Sequence, residues 1–256
     1  MSAPVGLLDV SGTQPIPFAR LVKVELRKMT DTRAGRWLLI AIAVITVLIV
    51  GLLAFVGDST DHTFENFLGA TATPQGFLLP VLGVLLVTSE WGQRATLTTF
   101  TLVPHRSRVL IAKIVAAVLF GLAAIVVAML ASALAALVSN APAPWGSFGI
   151  EDVAKVALLQ TLGVLQGVAF GMLLLNSAAA IVAYFVLPIG FNIVTSAVPG
   201  LHGVQPWIDP GTAQMQLFGG GWLTGEEWAQ LATTTLLWIG VPLALGALRM
   251  LRAEVK

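Results

Sequence analysis

The 256-residue chain is 57% hydrophobic and 11% charged, with a mean hydropathy of +0.89, whereas soluble domains carry about 25% charged residues. That composition excludes an ordinary soluble domain and predicts a membrane protein. The absence of cysteine removes disulfides, thiolate nucleophiles and cysteine-based metal sites. A formal charge of +1 offers no bulk attraction for nucleic acid.

In chain order, residues 1–17 contain Pro4, Gly6, Gly12, Pro15 and Pro17 and read as a flexible tail. Between 18 and 36 the pattern changes: Leu21, Val22, Val24, Leu26 and Met29 interleave with Arg20, Lys23, Arg27, Lys28 and Arg33. Such a mixture predicts a short basic amphipathic helix lying in the membrane interface. Six apolar runs follow, at about 37–57, 75–89, 109–138, 153–175, 178–198 and 228–250, near the roughly 20 helical residues that span hydrocarbon. The second is the shortest, so its helix is expected to begin within 72–74 or to run past Glu90. Because the runs are continuously apolar, with no alternation, they predict helices rather than barrel strands. The fold class expected is an all-α membrane protein with six transmembrane helices.

Lysine and arginine set the orientation. Arg20 to Arg36 precede the first run, Arg94, Arg106, Arg108 and Lys113 flank the link between the second and third, and Arg249, Arg252 and Lys256 follow the last. The alternate loops hold Asp58, Asp61, Glu65, Glu151, Asp152, Asp209, Glu226 and Glu227. Both termini are therefore expected in the cytoplasm, which requires an even number of spans, and the plasma membrane is the expected location. A cleaved signal peptide is disfavoured, because the first apolar run starts after about 36 residues and is too long for one.

Few ionisable groups enter the runs. Glu90, Lys113 and Lys155 sit near ends, where a lysine can snorkel and a carboxylate can reach water. Gln160, Gln166 and Asn192 lie deeper and are candidates either for interhelical hydrogen bonds or for a substrate-facing role. Gly163, Gly167 and Gly171 form a ridge without side chains, and Ala112, Ala116, Ala124, Ala128, Ser132 and Ala136 form a second small-residue face. Both predict close helix packing, within one chain or between two. Pro188 with Gly190, and Pro242, predict kinks. The loop 199–227 carries Trp207, Ile208, Met215, Leu217, Phe218 and Trp222, and reads as a re-entrant or interfacial segment on the outer side. The histidines His62, His105 and His202 are scattered, which predicts no metal site.

The segment 90–108 stands out. Glu90 and Arg94 have helical ion-pair spacing, Pro104 ends any short helix, and Arg106 and Arg108 fall where the third run begins. Anionic lipid explains the arginines, yet Phe100, Leu102 and Val103 are left without a core of their own, which predicts a cytoplasmic partner. Glu90-Trp91, Gln93-Arg94, Thr99 to Pro104, Arg106, Arg108-Val109 and Ala112-Lys113 together resemble the signature of ABC-2 type transporter permeases, particularly an actinobacterial branch. His105 stands where a second arginine is expected, and Arg94-Ala95 replaces a Gly-Thr pair of the wider family. The resemblance implies that 90–108 is the coupling element that docks on an ABC ATPase. Glu90, Trp91, Arg94, Phe100, Leu102, Pro104, Arg106 and Arg108 would then be its contact residues.

No G-x-x-x-x-G-K-[ST] motif occurs, and Gly219-Gly220-Gly221 lacks a following lysine. This chain is therefore expected to bind no cofactor itself, with ATP and magnesium on a separate ATPase subunit. A half-size permease implies pairing as a homodimer or with a related permease, with the pathway between the two. The expectation is an exporter subunit, itself no enzyme, for an amphipathic or hydrophobic substrate. A non-transporting scaffold or sensor partner of an ABC ATPase is the alternative. A lipid-modifying enzyme would need catalytic side chains on the spans, where none is visible.

Overall fold

The computed structural model describes residues 16–56, 58, 62–92, 105–139, 144–145 and 149–252. These residues are helical, with no strand among them, and six helices are long and apolar enough to cross a membrane. In chain order they are α1 (Phe18–Asp31), α2 (Arg33–Val56), α3 (Phe64–Gly92), α4 (Arg106–Val138), α5 (Ile150–Leu174) and α6 (Ser177–Ala197). Two short helices follow, α7 (Gln205–Ile208) and α8 (Pro210–Met215), then α9 (Gly225–Thr235) and α10 (Val241–Arg252). A π-helical turn, Leu236–Gly240, joins α9 to α10 into the sixth long helix.

The basic amphipathic helix is present but ends at Asp31 rather than continuing to 36. Thr32 is extended, and its hydroxyl accepts the Gly35 amide at 3.1 Å, so it ends one helix and caps the next. Val22, Glu25 and Met29 of α1 are buried, while Arg20, Lys23 and Arg27 are exposed on the other face.

The second span is the largest departure from expectation. It runs past Glu90 to Gly92 as expected, but it starts at Phe64, well before 72, and continues through Pro74 and Pro80. Thr63 starts it, its carbonyl accepting the Phe67 amide and its hydroxyl the Asn66 amide. Prolines in an apolar helix remain tolerable when neighbouring groups satisfy nearby backbone. The Gln160 amide of α5 adds a hydrogen bond to the Ala72 carbonyl at 3.2 Å, two residues before Pro74.

The glycine ridge packs within the chain. A Cβ on Gly167 would lie 2.1 Å from the Pro80 carbonyl oxygen, and one on Gly171 3.1 Å from that of Val84. The close approach places α3 and α5 at the centre, around Leu79, Leu82, Leu86, Val87, Val164, Val168 and Met172. On the small face of α4, Ala112 and Ala116 form a floor under Val22 of α1, and Ala128 and Ala136 pack with Phe64, Phe67 and Leu68. The Ser132 hydroxyl lies 3.1 Å from that of Thr71.

The break expected at Asn176-Ser177 is there. Leu175 takes a left-handed conformation (φ 53°), and the Asn176 side chain caps α6 through the Ala179 amide. Helix α6 continues through Pro188. The turn before Pro242 is accommodated by the π-helical register, in which the Val241 amide reaches the Leu236 carbonyl.

Candidate functional site

The link between α3 and α4 begins and ends at one end of the bundle, and α1 lies across that end. Three helices meet there through four charges. Lys113 of α4 is fully buried, and its ammonium donates to Glu25 of α1 at 2.7 Å and pairs with Glu90 of α3 at 3.2 Å. Lys28 of α1 pairs with Glu25 at 2.7 Å and also with Glu90. Signs therefore alternate around a closed ring: Glu25, Lys28, Glu90, Lys113. The third Lys113 donor position is used on the Leu86 carbonyl at 3.0 Å.

Burying isolated charges costs several kcal/mol each, and only complete pairing with further hydrogen bonds offsets this. The ring meets that condition, since its charges sum to zero. Burial alone would lower the Lys28 pKa, but the Glu25 and Glu90 carboxylates more than offset it and hold the ammonium above its ordinary value.

This arrangement corrects the expected setting of Lys113 and Lys155, neither of which snorkels. Lys155, on α5 at the opposite end, is buried and donates to the Gly219 carbonyl at 2.7 Å and the Gly221 carbonyl at 3.1 Å, while pairing with Asp152. Glu90 is likewise buried and engaged by Lys28 and Lys113. The helical partner expected for it, Arg94, lies outside the described residues, as do Phe100, Leu102 and Pro104.

The remaining coupling candidates gather at the same end. Trp91 packs on the central core, and its indole nitrogen is buried without a hydrogen bond among the described residues. Arg106 donates to the Met250 and Leu251 carbonyls at 3.2 Å each, fastening the start of α4 to the end of α10. Arg108 donates to the Ile16 carbonyl at 2.8 Å, just before α1. Arg249 similarly donates to the Leu173 carbonyl at the end of α5. Helix ends carry unsatisfied carbonyls, so these arginines bind α4 to α10, α10 to α5, and α4 to the chain entering α1.

The three deep amides have different settings. Gln160 bridges α5 to α3 through Ala72 and Gln75. Asn192 donates at 2.7 Å to Asp209, the N-cap of α8, and thereby ties α6 to the loop. Gln166 is buried and makes no hydrogen bond among the described residues. It lines a cavity of about 190 Å³ together with Phe77, Tyr184, Phe185, Pro188 and Ile189.

The loop 199–227 folds back onto the bundle instead of standing free. Ala213, Leu217 and Leu223 pack with Leu162, Ala169, Leu231 and Ile239, and the Trp238 indole donates to the Ile208 carbonyl at 2.8 Å. Met215, Phe218 and Trp222 stay exposed.

The sequence reading does not single out Glu25, and it takes Lys28 as part of a basic interfacial face and Lys113 as a snorkelling lysine of the signature, not as partners of Glu90. The signal was present in part: Glu25 is a carboxylate three residues before Lys28 in an otherwise basic helix, and Lys113 falls inside a strongly apolar run. A scan against protein-family models finds no match to this chain, and a search of curated proteins finds none either.

Proposed function

We propose that this chain is the membrane subunit of an ABC-2 type exporter, coupled through the link between α3 and α4 to a separate ATPase subunit. The observation that carries the reading is the convergence at one end of the bundle. The link's flanks, Glu90 and Arg106, are fastened respectively to α1 with α4 and to α10. A push on the link therefore reaches four helices through short polar contacts, and nucleotide-driven motion of a docked subunit would require such a connection.

Orientation follows from charge: the end that holds α1, Arg106, Arg108, Arg249 and Arg252 is assigned to the cytoplasm by the excess of basic residues. Both termini are then cytoplasmic, and the loop 199–227 lies outside. ATP and magnesium belong to the companion, and a second permease copy, or a related chain, completes the pathway. The apolar wall around Gln166 favours an amphipathic or hydrophobic cargo over ions or sugars.

Purification of the tagged chain from its native membrane tests the reading. An ATPase should copurify, and reconstitution of the pair should give ATP hydrolysis that depends on this chain. Arg94→Ala is the cleaner uncoupling variant, because Glu90 also serves the buried ring. It should leave assembly intact and lower coupled hydrolysis roughly tenfold, about 1.4 kcal/mol of lost coupling. Copurification of no ATPase, or full coupling in the variant, would overturn the assignment of this segment.

A further inference from the structure

We propose that α1 is a releasable latch: the ring of Glu25, Lys28, Glu90 and Lys113 is built so that α1 can leave the mouth of α3 and α4 without stranding a charge. The four groups divide by helix into two neutral pairs. Glu25 and Lys28 belong to α1 and are 2.7 Å apart, three residues along the same helix. Glu90 and Lys113 belong to α3 and α4 and are 3.2 Å apart. When α1 lifts, each half keeps an internal ion pair. Removal of any single member, by contrast, leaves an uncompensated charge in a buried place.

Apart from the Arg108 bond to the Ile16 carbonyl, which must open with it, the other contacts of α1 fit a detachable element. Its apolar face, with Val22 buried and Leu21 and Leu26 partly so, rests on the small side chains of Ala112 and Ala116 beside Val115. Met29 is the one α1 side chain in the central cluster. The connection to α2 is the extended residue Thr32, a natural pivot between two rigid helices. The opposite face of α1 exposes Arg20, Lys23 and Arg27, which suit the anionic surface of a membrane leaflet and give the released helix a place to rest.

What the latch serves rests on the permease reading: docked, α1 holds Glu90, the residue that opens the coupling link, and released, it frees that residue. Whether it opens does not depend on a companion, so the decisive experiment uses this chain alone. Because the chain has no cysteine, Val22→Cys places a single thiol under α1. In nanodiscs its labelling by a water-soluble maleimide reports release.

Removing the α1 half of the ring, Glu25→Gln with Lys28→Gln, should speed labelling about tenfold, in line with local opening of a weakly held segment. Reversing all four signs, Glu25→Lys, Lys28→Glu, Glu90→Lys and Lys113→Glu, restores the alternation and should return labelling towards the slow parent rate. Hydrogen exchange on the unsubstituted chain gives an independent reading: amides of 18–31 should exchange together while those of 109–117 stay protected. Equal labelling in the parent and the double variant, or exchange of α1 only together with α4, would overturn the latch. A failed latch leaves the copurification result untouched, and absence of an ATPase leaves the labelling result untouched.

Discussion

The two ends of the bundle are held by different chemistry. At the α1 end, three helices meet through side chains far apart in sequence, Glu25, Glu90 and Lys113, and Arg106 and Arg249 reach carbonyls on other helices. At the opposite end the loop is fixed mainly by local devices. Asp209 caps α8 through Thr212, Thr224 and Glu227 form a capping box on α9, and Lys155 with Asn192 supplies the longer ties. The contrast teaches where each end is sensitive: cooperative charge at one, separable hydrogen bonds at the other.

The largest effect should come from breaking the ring unevenly. Lys113→Met leaves Glu25 and Glu90 buried with Lys28 as their only cation, and should destabilise the folded chain by about 3–5 kcal/mol, read as loss of monodisperse protein or a lowered Tm in detergent. The paired removal of Glu25 and Lys28 should cost much less, and equal losses would mean that the ring members act independently.

Between the two ends, Gly167→Ala forces a methyl group against the Pro80 carbonyl and should cost about 1–3 kcal/mol by separating α3 from α5. The same change at Gly190, where a Cβ meets nothing within 4 Å, should be tolerated in the same Tm assay. At the loop end, Asp209→Ala removes the α8 cap and the Asn192 bond, for about 1–2 kcal/mol. Its readout is faster proteolysis within 199–227 with α1 labelling unchanged, and a change at α1 would show that the ends communicate.

The smallest effect is on alkaline stability. Because the Lys28 pKa is raised by its carboxylate partners, its contribution is fully present below the ordinary lysine value and is lost only as pH climbs through the raised one. Val22→Cys labelling should therefore be flat from neutral pH to the lysine range after correction for maleimide reactivity, then rise. A rise already near neutrality would contradict that order.

The spans were legible because lipid solvation writes them as continuous apolar runs, and the Asn176 break because a capping residue interrupts one. The start of α3 was not, since Thr71, Thr73 and Pro74 look like a loop until Thr63 and Gln160 are seen to satisfy backbone around them. The charge ring left a trace only in the odd placing of Glu25 and Lys113, and its pairing was not legible. Lys28 and Glu90 are 62 residues apart, and Glu25 and Lys113 are 88 apart, so no local pattern joins them. Glu90 invited a partner four residues on, and the fold supplied two distant ones.

The crossing of α3 and α5 bears on how the chain enters a bilayer. Helix α3 is the least apolar of the six and carries two prolines, whereas α2 is the most apolar. Helix α2 is apolar enough to be stable in lipid by itself. Helix α3 gains its hydrogen bond from Gln160 only when a residue 88 positions beyond Ala72 has been made, and the glycines that pack on Pro80 and Val84 come later still. The central pair of the bundle can therefore form only after α4 and most of α5 have been made.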